Sequence, residues 1–164
     1  MQLRLVIPVA ISNDLPQSEF IQPLGEHHIT IKHFGNVSRA EFAEIKRRLD
    51  FFEFKPFTLT LATSYDCFAN WSRCRTLYIP VSSRSIIELH EQITAVFRDM
   101  FTAEQFIPHV SVARITKHIP KNELQVLQTK EFPQVDLRAT HMLLVSSQLT
   151  EKSLVHTVEK KVVF

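Results

Sequence analysis

Residues 27–34, HHITIKHF, and residues 108–115, PHVSVARI, decide how this chain is read. Both are rich in β-branched residues with rough polar–apolar alternation, the pattern of half-buried strands. Side chains alternate between the two faces of a strand. His28 and Thr30 therefore share one face, with Ile29 and Ile31 on the other. His109 and Ser111 share a face in the same way, backed by Val110 and Val112. Each strand buries its apolar face and presents an imidazole beside a hydroxyl. With eight histidines in the chain, one His-x-Ser/Thr match is expected by chance. Two matches on strands at corresponding places in the chain carry more weight.

Outward from the first strand, residues 2–11 read as a buried strand and residues 12–25, with two prolines and Gly25, as a loop. Gly25 and Gly35 are the only glycines and mark places for unusual backbone angles. Ser38 and Glu41 form a capping box opening a helix to about Asp50, with Phe42, Ile45 and Leu49 on one side. Residues 57–65 and 75–81 read as strands with a turn near Asn70–Ser72 between them. Ser85 and Glu88 suggest a second capping box, for a helix running to about Phe101. After the second His strand, Pro120 opens a short helix to about Lys130. Residues 135–146 and 154–163 close the chain as an antiparallel pair around Gln148–Ser153. The two halves thus read as a duplicated unit whose first copy lacks a helix.

The length of 164 residues suits one domain, residues 1–164, of two lobes sharing a core. A net charge of +2 argues against bulk binding to long nucleic acid and leaves room for a small phosphate-bearing ligand. Cys67 and Cys74 lack zinc-site spacing and read as reduced thiols of a cytoplasmic protein. The apolar start is too short to span a membrane. No His-Glu-x-x-His pattern exists, so no metal and no cofactor are expected. Lys32 reads as an exposed strand lysine, His90 as a surface or half-buried helix residue, and Arg47-Arg48 as a solvated helix face.

Imidazole titrates near neutrality and serves as base or acid. A hydroxyl two residues on can donate to a phosphate oxygen. Two such strands side by side enclose one phosphate: one His takes a proton from water, the other protonates the leaving oxygen, and Thr30 and Ser111 hold the non-bridging oxygens.

At these residues the sequence resembles the two-histidine (2H) phosphoesterases, nearest to the LigT-like RNA 2',3'-cyclic phosphodiesterases, also called 2'-5' RNA ligases. HITIKHFG, from His28 to Gly35, and PHVSVAR, from Pro108 to Arg114, carry the likeness. The opening strand, the Trp71-x-Arg73-x3-Leu77 stretch and the final hairpin share it. The resemblance implies a bilobal α+β fold, with antiparallel sheets around a central cleft and helices outside. It implies a monomer that opens a terminal 2',3'-cyclic phosphate on an RNA end or nucleotide to a 2'-phosphate. His28 would be the acid, His109 the base, and Arg114 would lie near the phosphate. Strict alternation puts Arg114 on the wrong face, so it reaches the site only through a twist, a bulge or the strand's end. The family's base-stacking Phe is replaced by His33, with Phe34 next to it as a substitute. Two other readings stay open. One is a phosphodiesterase of the same superfamily for 2'-5' oligoadenylate or a small cyclic nucleotide. The other is a nucleotide-binding module without turnover.

Overall fold

A computed structural model describes residues 1–12, 15–68, 70–149 and 154–164. Strands β1 (Gln2–Val9), β3 (His27–Asn36), β9 (His141–Leu149) and β10 (Leu154–Val163) form one antiparallel sheet in the order β10-β9-β1-β3. The second sheet has the order β2-β7-β6-β4-β8. It is built from β2 (Ile21–Pro23), β7 (His109–Ile115), β6 (Thr76–Ser82), β4 (Phe57–Leu61) and β8 (Val135–Ala139), with β5 (Asp66–Cys67) added beside β6. Helices α1 (Arg39–Leu49), α2 (Arg84–Val96) and α3 (Lys121–Thr129) complete an α+β fold.

The duplication is visible in strand order. β10-β9-β1-β3 in one sheet corresponds to β8-β4-β6-β7 in the other. Each half also clasps its counterpart. The connection between β1 and β3 crosses over to lay β2 against β7, and the connection between β6 and β7 forms α2, which packs on β3. Burial of Ile29, Ile31, Val110 and Val112, together with Ile86, Leu89 and Ile93 of α2, fuses the two sheets into one core. At roughly 1.5–3 kcal/mol per buried aliphatic side chain, these alternating positions fix which face of each His strand stays open.

Most expected elements are present, and several differ in informative ways. The Ser38–Glu41 capping box forms in both directions. The Ser85–Glu88 box does not: α2 begins two residues earlier, at Arg84, with Ser83 at its cap donating to the Thr58 carbonyl instead. The α-helix stops at Val96, and Phe97 and Phe101 continue as turns whose rings pack on Phe34. Residues 135–146 break at Thr140 into β8 and β9, because the chain passes there from one sheet to the other. Most of the polar stretch between β9 and β10 lies outside the described residues. Gly35 has φ +71°, a left-handed conformation that favours glycine, whereas Gly25 does not.

The cysteines are not reduced thiols: Cys67 and Cys74 form a disulfide, their Cα atoms 5.6 Å apart. The end of β5 and the short 3-10 turn Trp71–Arg73 fold the chain back on itself, a proximity that spacing rules for metal sites do not detect. Arg48 is not simply solvated either. It pairs with Glu44 and, at 2.5 Å, with Asp99, tying α1 to the segment after α2. No helix among the described residues is long and apolar enough to cross a membrane.

Candidate active site

The two His strands are framed in the same way. β1 pairs with β3 so that Pro8 faces His28, Val6 faces Thr30 and Arg4 faces His33. β6 pairs with β7 so that Pro80 faces His109, Tyr78 faces Ser111 and Thr76 faces Arg114. The framing strands repeat in sequence as Arg4-Leu5-Val6-Ile7-Pro8 and Thr76-Leu77-Tyr78-Ile79-Pro80.

Both ladders slip at matching points. On β3 the register skips Ile31, between the Lys32 and Thr30 pairings. On β7 it skips Val112, between the Ala113 and Ser111 pairings. A bulge of one residue reverses side-chain parity beyond it. His33 therefore joins His28 and Thr30, and Arg114 joins His109 and Ser111. Each bulged residue's carbonyl is held by the opposite half's connection: His90 Nδ1 donates to the Ile31 carbonyl at 2.8 Å, and the Leu24 amide donates to the Val112 carbonyl at 2.9 Å.

His28, Thr30, His33, His109, Ser111 and Arg114 consequently line one cavity of about 460 Å3. Arg4, Glu26, Thr76 and His156 join them. Val6, Leu143, Val145 and Val158 give an adjoining depression an apolar floor, and it shares Arg4, Glu26, His28 and His156 with the cavity.

The two imidazoles differ electrically. Burial drives His28 down to about 4, helped by Arg4, His156, His109 and His27. Burial also lowers His109, while a hydrogen bond to the Ile107 carbonyl acts the other way. In that bond His109 Nδ1 donates at 2.6 Å, which leaves Nε2 as the unprotonated acceptor of the neutral ring. Edges of Phe68 and Tyr78 pack on the same imidazole at centroid distances of 4.7 and 5.2 Å. Tyr78 is raised by burial and by Asp66, to which its hydroxyl donates at 3.3 Å. Arg4 is lowered by burial, with Glu26 opposing, and its buried Nε has no hydrogen-bond partner among the described residues. An anion in the cavity would supply one. Among the described residues, no three His, Cys, Asp or Glu side chains gather as a metal-ligand cluster.

Some expected side chains lie elsewhere. Phe34 is 5% exposed, edge-on to Phe97 and Phe101 at 5.1 Å, so the bulge that brings His33 into the cleft places Phe34 in the core. Lys32 is buried rather than exposed. Its ammonium donates to the Thr102 carbonyl at 3.0 Å and lies 3.5 Å from Glu104. His90 is buried against Phe106, with ring centroids 4.1 Å apart. Sequence reading missed Arg4, Glu26, Thr76 and His156. The repeat of β1 in β6 was the available signal for Arg4 and Thr76. His156 had none: β10 brings it to the cleft, where Nδ1 sits 2.7 Å from the Ser147 hydroxyl.

A family model described as the 2'-5' RNA ligase superfamily matches residues 22–151. The fold is similar to TT0787 of Thermus thermophilus, with TM-score 0.75 and 19% identity, covering 99% of this chain and 97% of that one. It is also similar to E. coli LigT complexed with 3'-AMP, with TM-score 0.70 and 18% identity, covering 98% and 95%. The MHV ns2 PDE domain aligns with TM-score 0.59 and 13% identity over 88% of this chain and 99% of that one. At these identities the likeness is one of fold. No curated protein matches by sequence.

Proposed function

The chain belongs to the 2'-5' RNA ligase superfamily, and from that premise we propose that it is a phosphodiesterase opening 2',3'-cyclic phosphates at RNA ends by two-histidine acid–base catalysis. The observation that carries the reading is the matched pair His28–Thr30 and His109–Ser111, set by equivalent registers around one cavity that also holds Arg4 and Arg114. The phosphate would sit between the strands, accepting from Thr30, Ser111 and the two guanidiniums.

His109 Nε2 takes a proton from water, whose oxygen attacks phosphorus. The bond to the 3' oxygen breaks, and His28 delivers its proton there, leaving a 2'-phosphate and a 3'-hydroxyl. His28 is mostly neutral in the empty cleft at pH 7, so its proton enters with the substrate, whose negative charge favours imidazolium. The apolar depression beside His28 would hold the nucleoside, with His33 at the cavity wall in place of the buried Phe34. Residues 1–164 would act as one two-lobed domain. A monomer suffices, because one chain supplies both half-sites. The proposed setting is the cytoplasm, where the Cys67–Cys74 bridge would meet reducing thiols.

A short RNA ending in a 2',3'-cyclic phosphate, incubated with EDTA, tests this reading. Conversion to the 2'-phosphate supports the reaction, its metal independence and its direction together. A 3'-phosphate would reverse the leaving group. Absence of hydrolysis, with cleavage of a 2'-5' linked dinucleotide instead, would move the assignment to the oligoadenylate reaction. Tight binding of either without turnover would make the chain a binding module.

A further inference from the structure

A second cavity, of about 490 Å3, lies beyond the ends of β6 and β7. Arg73, Arg75, Lys117 and Lys121 line it, with His118 and Trp71. They come from the 3-10 turn, the entry to β6, the exit of β7 and the first turn of α3. The cations are exposed and Trp71 is half-buried. Four cations on one cavity in a chain of net charge +2 is a local concentration that the total conceals. Lys117 faces Glu19 across an exposed 3.4 Å pair. Among the described residues, no carboxylate pairs with Arg73, Arg75 or Lys121. Such a group is left with unneutralised repulsion that a polyanion relieves.

The cavity is joined to the cleft by the same two strands. Thr76 lines the cleft and Arg75 lines the cavity. Arg114 lines the cleft, and the next amide, Ile115, donates to the Arg75 carbonyl at 2.9 Å. Lys117 follows Arg114 within about 10 Å of extended chain.

We infer that this cavity binds the single strand of RNA leading into the cleft. Phosphodiesters of nucleotides 5' to the reacting end take Arg73, Arg75 and Lys121, and an unpaired base stacks on Trp71. A basic track with an aromatic platform is how single strands are held without sequence preference. A duplex would need a broader basic face than this chain's charge allows. The inference rests on the cyclic-phosphate reading of the cleft and makes oligonucleotides, rather than mononucleotides, the preferred substrates.

Two readouts keep the claims separate. One is fluorescence anisotropy with a labelled single-stranded RNA of about ten nucleotides ending in a 3'-phosphate, between about 50 and 200 mM salt. The other is hydrolysis of a nucleoside 2',3'-cyclic phosphate. For Arg73→Gln/Arg75→Gln/Lys121→Gln, RNA binding at the lower salt should weaken at least tenfold. The slope of log affinity against log salt should fall by about 2. Mononucleotide hydrolysis should stay within twofold of wild type. Unchanged RNA affinity in the variant, or wild-type affinity for the RNA no greater than for a mononucleotide 3'-phosphate, overturns the inference. If wild type hydrolyses neither the mononucleotide nor a short RNA ending in a 2',3'-cyclic phosphate, the cleft reading falls while anisotropy still reports on the cavity. Should the triple variant melt early, the single substitutions replace it, each expected to weaken RNA binding two- to fourfold; no loss in any of them counts against the site.

Discussion

The β1–β3 pair and the β6–β7 pair are built to one plan and furnished differently. Both set a proline opposite the histidine and slip by one residue after the hydroxyl. Their cations come from different strands: Arg4 from the framing strand of one half, Arg114 from the His strand of the other. The surroundings diverge as well. His28 is half-buried beside the positive charge of Arg4 and sheds its proton, whereas His109 is clamped through Nδ1 by a carbonyl and packed edge-on with Phe68 and Tyr78. Symmetry thus places two like imidazoles on one cavity, and their unlike surroundings suit the unlike tasks proposed for them.

The largest expected effect comes from breaking either half at its imidazole. His28→Ala and His109→Ala should each lower kcat on a cyclic phosphate by about 10³–10⁴, with the fold retained by circular dichroism. Next come the hydroxyls proposed to donate to the phosphate. Thr30→Ala and Ser111→Ala should each cost about tenfold to a thousandfold in kcat. Near-equal losses would support the equivalence of the halves, and loss in only one would break it.

The unlike surroundings of the two histidines predict a pH signature. With His28 near 4 and His109 below its ordinary value, kcat/KM should be greatest between about pH 4 and 6.5 and fall about tenfold per pH unit above that. A maximum at pH 8 would contradict these environments. Stability follows by linkage. The unfolded chain protonates His28 near 6.5 while the folded chain resists until about 4, so stability falls as pH drops through that window. His28→Gln should remove on the order of 2–3 kcal/mol of that acid sensitivity, read from urea midpoints at pH 7 and pH 4.

The smallest effect probes the bulges. The Ile31 carbonyl is held by the side chain of His90, but its counterpart at Val112 is held by a backbone amide. Only the β3 bulge can therefore be loosened by one side-chain change. His90→Phe should raise KM about two- to fivefold through misplaced Thr30 and His33, with kcat changed less. A loss of kcat alone would argue against this positioning role.

These differences also mark how far the sequence could be read. Alternation placed His28 with Thr30 and His109 with Ser111, because Ile29, Ile31, Val110 and Val112 all enter the core as their period demands. It misplaced Lys32 and Phe34 because the skipped Ile31 reverses parity between Thr30 and His33, and a bulge leaves no mark in the polar–apolar pattern. The same slip on β7 brings Arg114 into the cleft, against strict alternation. Arg4 was overlooked inside a strand that otherwise reads as plain core, although β6 repeats that strand closely enough to expose its place. His156 and the Cys67–Cys74 bridge depend on tertiary folding, where a returning hairpin and a tight turn bring distant or non-neighbouring residues together.

Assignment of His28 as the acid and His109 as the base is tested most directly by changing the leaving group. Rates of His28→Ala and His109→Ala are compared on a nucleoside 2',3'-cyclic phosphate and on a 4-nitrophenyl phosphodiester, whose phenolate departs without a proton. His28→Ala should regain most of its lost rate on the activated ester, while His109→Ala stays impaired on both. Recovery by His109→Ala instead would exchange the two roles and contradict the assignment.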